Sequence, residues 1–294
     1  MPSLKEVRTR IRTVKSTQQI TKAMKMVAAS KLRKAQDAII QLRPFSEKLC
    51  EILQNAIRST EDGAPSQYAE KRDIRRILVV PVTSDKGLCG AFNSTVIKKT
   101  IALIEEDYED TFHRGELFLM PVGIKGYDFF SKRGYNVIED YRKIFTKLSF
   151  ETVKEAADDV MRGFLNQDYD TVILVYNEFK NIATQVLCVD TFLPIPDSGT
   201  GEAGSSPTDY IFEPSKIEIK KKLVPQSLRI QFYKAILESN ASEHGARMTA
   251  MEVATENAEE LLGELQILYN RTRQAAITKE ILDIVGGAEA LASQ

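Results

Sequence analysis

The two ends of the chain constrain it most. From Ser3 to about Arg58 there is a single proline, Pro44, and no glycine. Apolar residues recur there at alternating short spacings: Leu4, Val7, Ile11 and Val14, then Ile20, Met24 and Val27, then Ala28, Leu32, Ala35, Ile39 and Leu42, with Leu49, Leu53 and Ala56 beyond. Spacing of this kind keeps one helix face apolar over many turns, the pattern of a coiled-coil seam, here with a phase shift near Gln18. Such a helix is roughly 80 Å long. Pro44 removes a backbone donor and crowds the preceding turn, so a kink is expected there.

The far end repeats the pattern. Met248, Met251, Thr255, Ala258, Leu262, Leu265, Tyr269, Thr272 and Ala276 hold heptad spacing before a shift to Ile277, Ile281, Ile284, Ala288 and Leu291. Ser215-Lys216-Ile217-Glu218, following Pro214, reads as a capping box and predicts that this helix begins at Ser215 and bends early at Pro225. Its course to Leu291 spans on the order of 100 Å. A long helix with a narrow apolar stripe does not stand alone, and the nearest available stripe is the other terminus. Small seam residues (Ala28, Ala35, Ala56, Ala258, Ala276) permit close approach. Charge agrees: from Met1 to Arg43 eleven Lys or Arg face only Glu6 and Asp37, whereas from Ser242 to Gln294 nine acids face Arg247, Arg271, Arg273 and Lys279.

Between the ends the period changes. Arg75 to Thr83, Glu116 to Val122, Tyr135 to Glu139, Thr171 to Glu178 and Gln185 to Phe192 read as strands, and Ser94 to Glu106, Lys125 to Arg133 and Thr152 to Asn166 as helices separating the first four. Strand alternating with helix predicts an α/β fold with a mainly parallel, Rossmann-like sheet, and Lys180-Asn181 a hairpin that returns the last strand antiparallel. Pro194 to Pro207, rich in Gly and Ser, reads as an exposed loop. The expected organisation is a helix over 1–60, an α/β domain over 74–195, a loop and foot segment over 196–214 and a helix over 215–294.

Little in this frame looks like chemistry. Ser84-Asp85-Lys86-Gly87-Leu88-Cys89-Gly90-Ala91-Phe92-Asn93 sits between a strand and a helix, where nucleotide-binding folds carry a phosphate loop. It offers only Gly87 and Gly90 and matches neither dinucleotide nor P-loop spacing, so a structural turn is the better reading. There are two histidines, His113 and His244, and three cysteines, Cys50, Cys89 and Cys188, with no metal-ligand spacing. Asp158-Asp159 and Glu259-Glu260 fall on helices whose opposite face is apolar, which makes them solvated charge. No catalytic residue, cofactor or metal is expected. The longest apolar run, Ile77 to Val82, is far short of the roughly 20 residues that span a bilayer. The basic, acid-poor start also fits a transit peptide, or a helix that binds nucleic acid through phosphates, although no aromatic residue precedes Phe45.

Specific stretches then become recognisable: Ile20-Thr-Lys-Ala-Met-Lys-Met-Val-Ala-Ala-Ser-Lys-Leu-Arg33, the turn Ser84 to Asn93, Ala241-Ser-Glu-His-Gly-Ala-Arg-Met-Thr-Ala-Met251 and Tyr269-Asn-Arg-Thr-Arg-Gln-Ala-Ala-Ile-Thr-Lys-Glu-Ile281. Together they make the chain resemble the gamma subunit of F-type ATP synthases, in a bacterial form, over nearly its whole length. The likeness starts at Ser3 in a helix that is itself basic, so the transit-peptide reading gives way. The resemblance implies a rotor. Its terminal helices form an antiparallel coiled coil inside a ring of alpha and beta subunits, and its α/β domain stands with the epsilon subunit on the membrane ring of c subunits. Catalysis lies on the beta subunits and nucleic acid plays no part. The location implied is peripheral, on the cytoplasmic face of the inner membrane. Carried over by motif, contacts with the alpha/beta ring fall on Arg273, Gln274 and Thr278, with Met24 opposite them on the first helix. Tyr210 and Glu213, in Asp209-Tyr-Ile-Phe-Glu-Pro214, are the candidates for the c ring.

Overall fold

The structure, a computed structural model, describes residues 3–58, 67–70, 72–182, 184–195 and 216–292. In chain order its elements are α1 (Leu4–Arg58), β1 (Ile77–Pro81), α2 (Phe92–Asp107), α3 (Glu109–His113), β2 (Leu117–Leu119), α4 (Ile124–Ser131), β3 (Asn136–Val137), a 3-10 turn (Ile144–Lys147), α5 (Phe150–Leu165), β4 (Thr171–Phe179), β5 (Gln185–Leu193) and α6 (Lys216–Ala292). They divide into two compact units, one of Met1–Ala28 with Met248–Gln294, the other of Ala29–Arg247. Both long helices continue through their prolines, Pro44 and Pro225. A proline forfeits one backbone bond, and buried neighbours on each side, Ile39 and Leu49 around the first and Val224 and Leu228 around the second, hold the helix across it. Ser215, the expected cap of α6, lies outside the described residues.

In the second unit the sheet runs β3-β2-β1-β4-β5. The first four strands are parallel and β5 returns antiparallel along β4, as the alternation of strands with helices required. Both faces are covered. Leu78, Val80, Val172 and Leu174 pack against Val153, Val160 and Phe164 of α5 and Leu228, Phe232 and Ile236 of α6. Ile77, Val79, Ile173 and Val175 pack against Val96, Leu103 and Ile104 of α2 and Phe130 of α4. Double burial explains why β1 is a continuous apolar run with every residue buried. Ser149 caps α5 by accepting from the Thr152 amide at 3.3 Å, which starts that helix at Phe150, ahead of the expected Thr152. Only Asn136 and Val137 of the third expected strand pair with β2.

In the first unit, α1 and α6 lie side by side. Thr21 Oγ1 meets Thr255 Oγ1 at 2.8 Å and Lys25 Nζ meets a Glu252 oxygen at 2.5 Å. Numbers rise on one helix as they fall on the other, so the pair is antiparallel. On α6, Met248, Met251, Thr255, Ala258, Leu262 and Leu265 are buried or half-buried, in heptad phase as expected.

Two expectations for this unit are corrected. The α1 seam has no phase shift at Gln18: Leu4, Val7, Ile11, Val14, Gln18, Thr21, Lys25 and Ala28 are all turned inward in unbroken spacing. Ile20 and Val27 point outward, 57% and 58% exposed, because the polar seam residues find partners across the pair. The second heptad phase of α6 is not a seam with α1 either. The register sets Leu4, the first residue of α1, near Thr272, so the rest of α6 has no counterpart on α1, and Ile277, Ile281 and Ile284 are exposed.

Candidate partner-contact site

The most enzyme-like stretch, the turn after β1, is closed from within. A phosphate loop aims backbone N–H groups outward, but here the carbonyls of Lys86 and Gly87 accept from Arg247 Nη2 of α6 at 2.8 and 3.2 Å. The Ser84 hydroxyl donates to the Lys86 carbonyl at 2.7 Å and accepts from Asn93 Nδ2 at 2.8 Å. Cys89, Phe92 and Ala246 form a small buried cluster, and burial pushes the Cys89 thiol pKa up, away from the nucleophilic thiolate. Beside them the Asp85 carboxylate accepts from the Ile124 amide at 3.3 Å and so occupies the start of α4, where an anion would otherwise sit. Gly123, at φ 101, lets that helix approach, since a Cβ there would lie 2.3 Å from the Thr83 carbonyl oxygen.

Arg247 is the keystone of this arrangement. Its Nη1 also donates to Glu243 at 2.6 Å and to His244 Nδ1 at 3.2 Å. Because a guanidinium only donates, Nδ1 carries the lone pair and His244 is the Nε2–H tautomer. Burial, reinforced by Arg247 and Lys31, lowers the His244 pKa to about 4. Burial raises the Glu243 pKa while Arg247 pulls it back down. Among the described residues no group of His, Cys, Asp or Glu is placed to hold a metal ion, and no helix is long and apolar enough to cross a membrane.

The residues singled out for partner contact divide by region. Arg273, Gln274 and Thr278 are exposed on the part of α6 that outruns α1. Gln274 and Thr278 are one turn apart on one face, with Arg273 beside them. Met24 is half-buried and level with Glu252 and Val253, about 30 Å of helix from Arg273. The expectation that Met24 lies opposite the other three is therefore corrected: the register of the pair sets it elsewhere along the shaft. Tyr210 and Glu213 lie outside the described residues. Near the three α6 residues stand outward-facing Ile281, Leu282, Ile284 and Val285, of which Ile281 and Ile284 have the spacing of seam positions. Thr21 and Thr255 carry one signal in the sequence: Gln18, Thr21 and Lys25 continue the three-and-four spacing of the stripe that precedes them.

One unit is an antiparallel coiled coil whose longer helix carries bare apolar side chains, and the other an α/β unit whose loop after β1 is closed by its own side chains; together they define the class as coiled-coil proteins with an inserted α/β unit. The comparisons give the family. Residues 3–291 match the model of the ATP synthase family. The ATP synthase gamma chain of Cytophaga hutchinsonii is 56% identical over 293 residues, covering 99% of each chain, and that of Christiangramia forsetii 50% identical over 291 residues, again 99% of each. The chain belongs to the ATP synthase gamma-chain family. The solved central stalk and c-ring of the Tetrahymena thermophila mitochondrial ATP synthase is similar over 80% of this chain and 99% of its own, with TM-score 0.56 and 27% identity. A chain of the Euglena gracilis mitochondrial ATP synthase shares the fold over 98% of this chain and 94% of its own, with TM-score 0.65 and 22% identity. Nothing in these relatives supports the nucleic-acid reading, and Lys25 of the basic helix is paired with Glu252.

Proposed function

We propose that this chain is the central rotor shaft of a bacterial F-type ATP synthase, coupling proton flow through a membrane ring of c subunits to ATP synthesis and hydrolysis on the beta subunits. The observation that carries the proposal is the antiparallel pair of α1 and α6, in a chain matched end to end by gamma chains. The shaft contributes no catalytic residue. An asymmetric rod inside a ring of chemically identical sites touches each differently, and a contact that favours one conformation shifts that site's nucleotide affinity by its differential free energy and no more. Rotation passes the bias to the next site.

Arg273, Gln274 and Thr278 serve as the catch against the moving loops of the ring. A guanidinium and an amide form directional bonds to carboxylate or carbonyl groups that can be made and released each turn. Met24 contributes a second contact along the shaft. Tyr210 and Glu213 form the foot on the c ring beside the epsilon subunit, which holds the complex on the cytoplasmic face of the inner membrane. The test is reconstitution with alpha and beta subunits of the same organism: ATPase should rise on adding this chain, and Arg273→Ala with Gln274→Ala should lower turnover without impairing assembly. An unchanged rate in that double variant removes the catch, and failure to co-assemble removes the rotor reading. Glu213→Lys should uncouple proton flow from synthesis in membrane vesicles, and intact coupling would count against the foot.

A further inference from the structure

Along residues 18–28 of α1 two faces compete for the seam. One is apolar (Ile20, Met24, Val27), the other largely polar (Gln18, Thr21, Lys25), and a roll of about 100° about the helix axis exchanges them. Hydrophobic burial by itself favours the first. The structure has the second: Thr21 is 9% exposed, whereas Ile20, Met26 and Val27 are each more than half exposed. Where local preference and structure disagree in this way, function is the usual beneficiary. What opposes burial is visible across the pair. Thr255 Oγ1 donates to the Met251 carbonyl at 2.6 Å, which leaves its lone pairs for the Thr21 hydroxyl at 2.8 Å, a partner that Thr21 takes in place of the Gln18 carbonyl 3.0 Å away, and one turn on Lys25 meets Glu252.

We propose that Thr21 and Thr255 are positioning residues that set the rotational phase of α1, holding Ile20 and Val27 outward as a contact strip for the surrounding subunits. The hydroxyl pair works where the ion pair cannot, because Lys25 and Glu252 are both substantially exposed and long enough to follow a rolled helix. Two β-branched residues fix their oxygens with a single torsion each, so the contact exists in one phase only. The strip's role rests on the rotor reading; the phase itself does not.

The experiment separates the two. In the full chain with its native cysteines replaced by serine, Ala28→Cys, buried in the observed phase and turned outward by the roll, reports the phase through its rate of maleimide labelling. Thr255→Ala should speed that labelling about fivefold to tenfold as the rolled state gains population, one hydrogen bond being of that worth. Thr255→Ser should restore the slow rate, because the hydroxyl and not the methyl is required. Independently, a Thr21→Cys, Thr255→Cys pair should oxidise readily while an Ile20→Cys, Thr255→Cys pair does not. Unchanged labelling in Thr255→Ala, or equal oxidation of the two pairs, overturns the proposal. In the reconstituted complex Thr255→Ala should lower turnover and Thr255→Ser should recover it. If labelling follows the prediction and turnover does not, the phase assignment stands and the contact strip is overturned.

Discussion

The two units handle their apolar side chains in opposite ways. In the α/β unit β1 is buried throughout, Phe130 and Phe164 are sealed between layers, and the turn after β1 is closed by Arg247. In the helical unit Ile267, Leu282 and Ile284 stand in solvent, up to 72% exposed, while Gln18, Thr21 and Lys25 occupy seam positions. The first unit satisfies itself. The second leaves apolar side chains in solvent, and exposed apolar surface of this extent marks a protein contact. Stability of the α/β unit should thus be intrinsic, and that of the helical end linked to its partners by mass action.

The sharpest way to break that contrast is to truncate one large side chain in each unit. Phe164→Ala removes a ring fully buried under α5, against which the Arg72 guanidinium also lies, 5.1 Å from the ring centroid. It should cost about 3–5 kcal/mol. The same truncation at exposed Ile284 should stay within about 0.5 kcal/mol in the free chain. Denaturant titration followed by segment-resolved hydrogen exchange checks both, and comparable losses at the two sites would mean the helical end is as self-sufficient as the sheet.

How much of this was legible in the sequence follows the same division. The α/β unit could be read, because double burial writes itself as the run Ile77 to Val82 and alternation with helices forces parallel strands. The third strand is shorter than its pattern suggests: the Ile138 amide still donates to the Leu119 carbonyl of β2, but Tyr135 and Glu139 look like strand and pack or bond outside the ladder. In the helical unit the pattern misled. Ile20 and Val27 look like seam, but the seam runs through Gln18, Thr21 and Lys25, and a sequence records apolar residues without recording whether they enter the core of their own chain. The placement of Met24 failed for a further reason: register depends on where the two helices begin and end relative to each other, and heptads repeat without saying which one pairs with which. Arg273, Gln274 and Thr278 are proposed from family motif; no local rule singles them out.

Acid should sharpen the comparison with a smaller effect. His244 is 9% exposed with its pKa lowered to about 4 from 6.5, chiefly by burial and then by Arg247 and Lys31. Between those values the unfolded chain binds a proton that the folded chain refuses, so stability declines as pH falls through 6.5 and the loss is complete below about 4. The decline should amount to roughly 3 kcal/mol. Glu243, whose raised pKa has the opposite sign, partly offsets it. In His244→Gln the pH dependence of the denaturation midpoint should flatten. An identical slope in the variant and the parent would remove His244 as its source.

The smallest effect on the free chain carries the most information about the helical end. Ile281→Ser with Ile284→Ser changes residues that are 55% and 71% exposed and lie past the start of α1 in the register of the pair. Melting of the free chain should therefore hardly move. If another protein buries these side chains, the same double change removes apolar area from that interface, and half-saturation of assembly should shift about tenfold or more toward higher concentration. A mutation silent in isolation and costly in the assembly is what an unfinished surface requires. A mutation silent in both would mean that the end of α6 stays bare in the complex, and its isoleucines would then need another explanation.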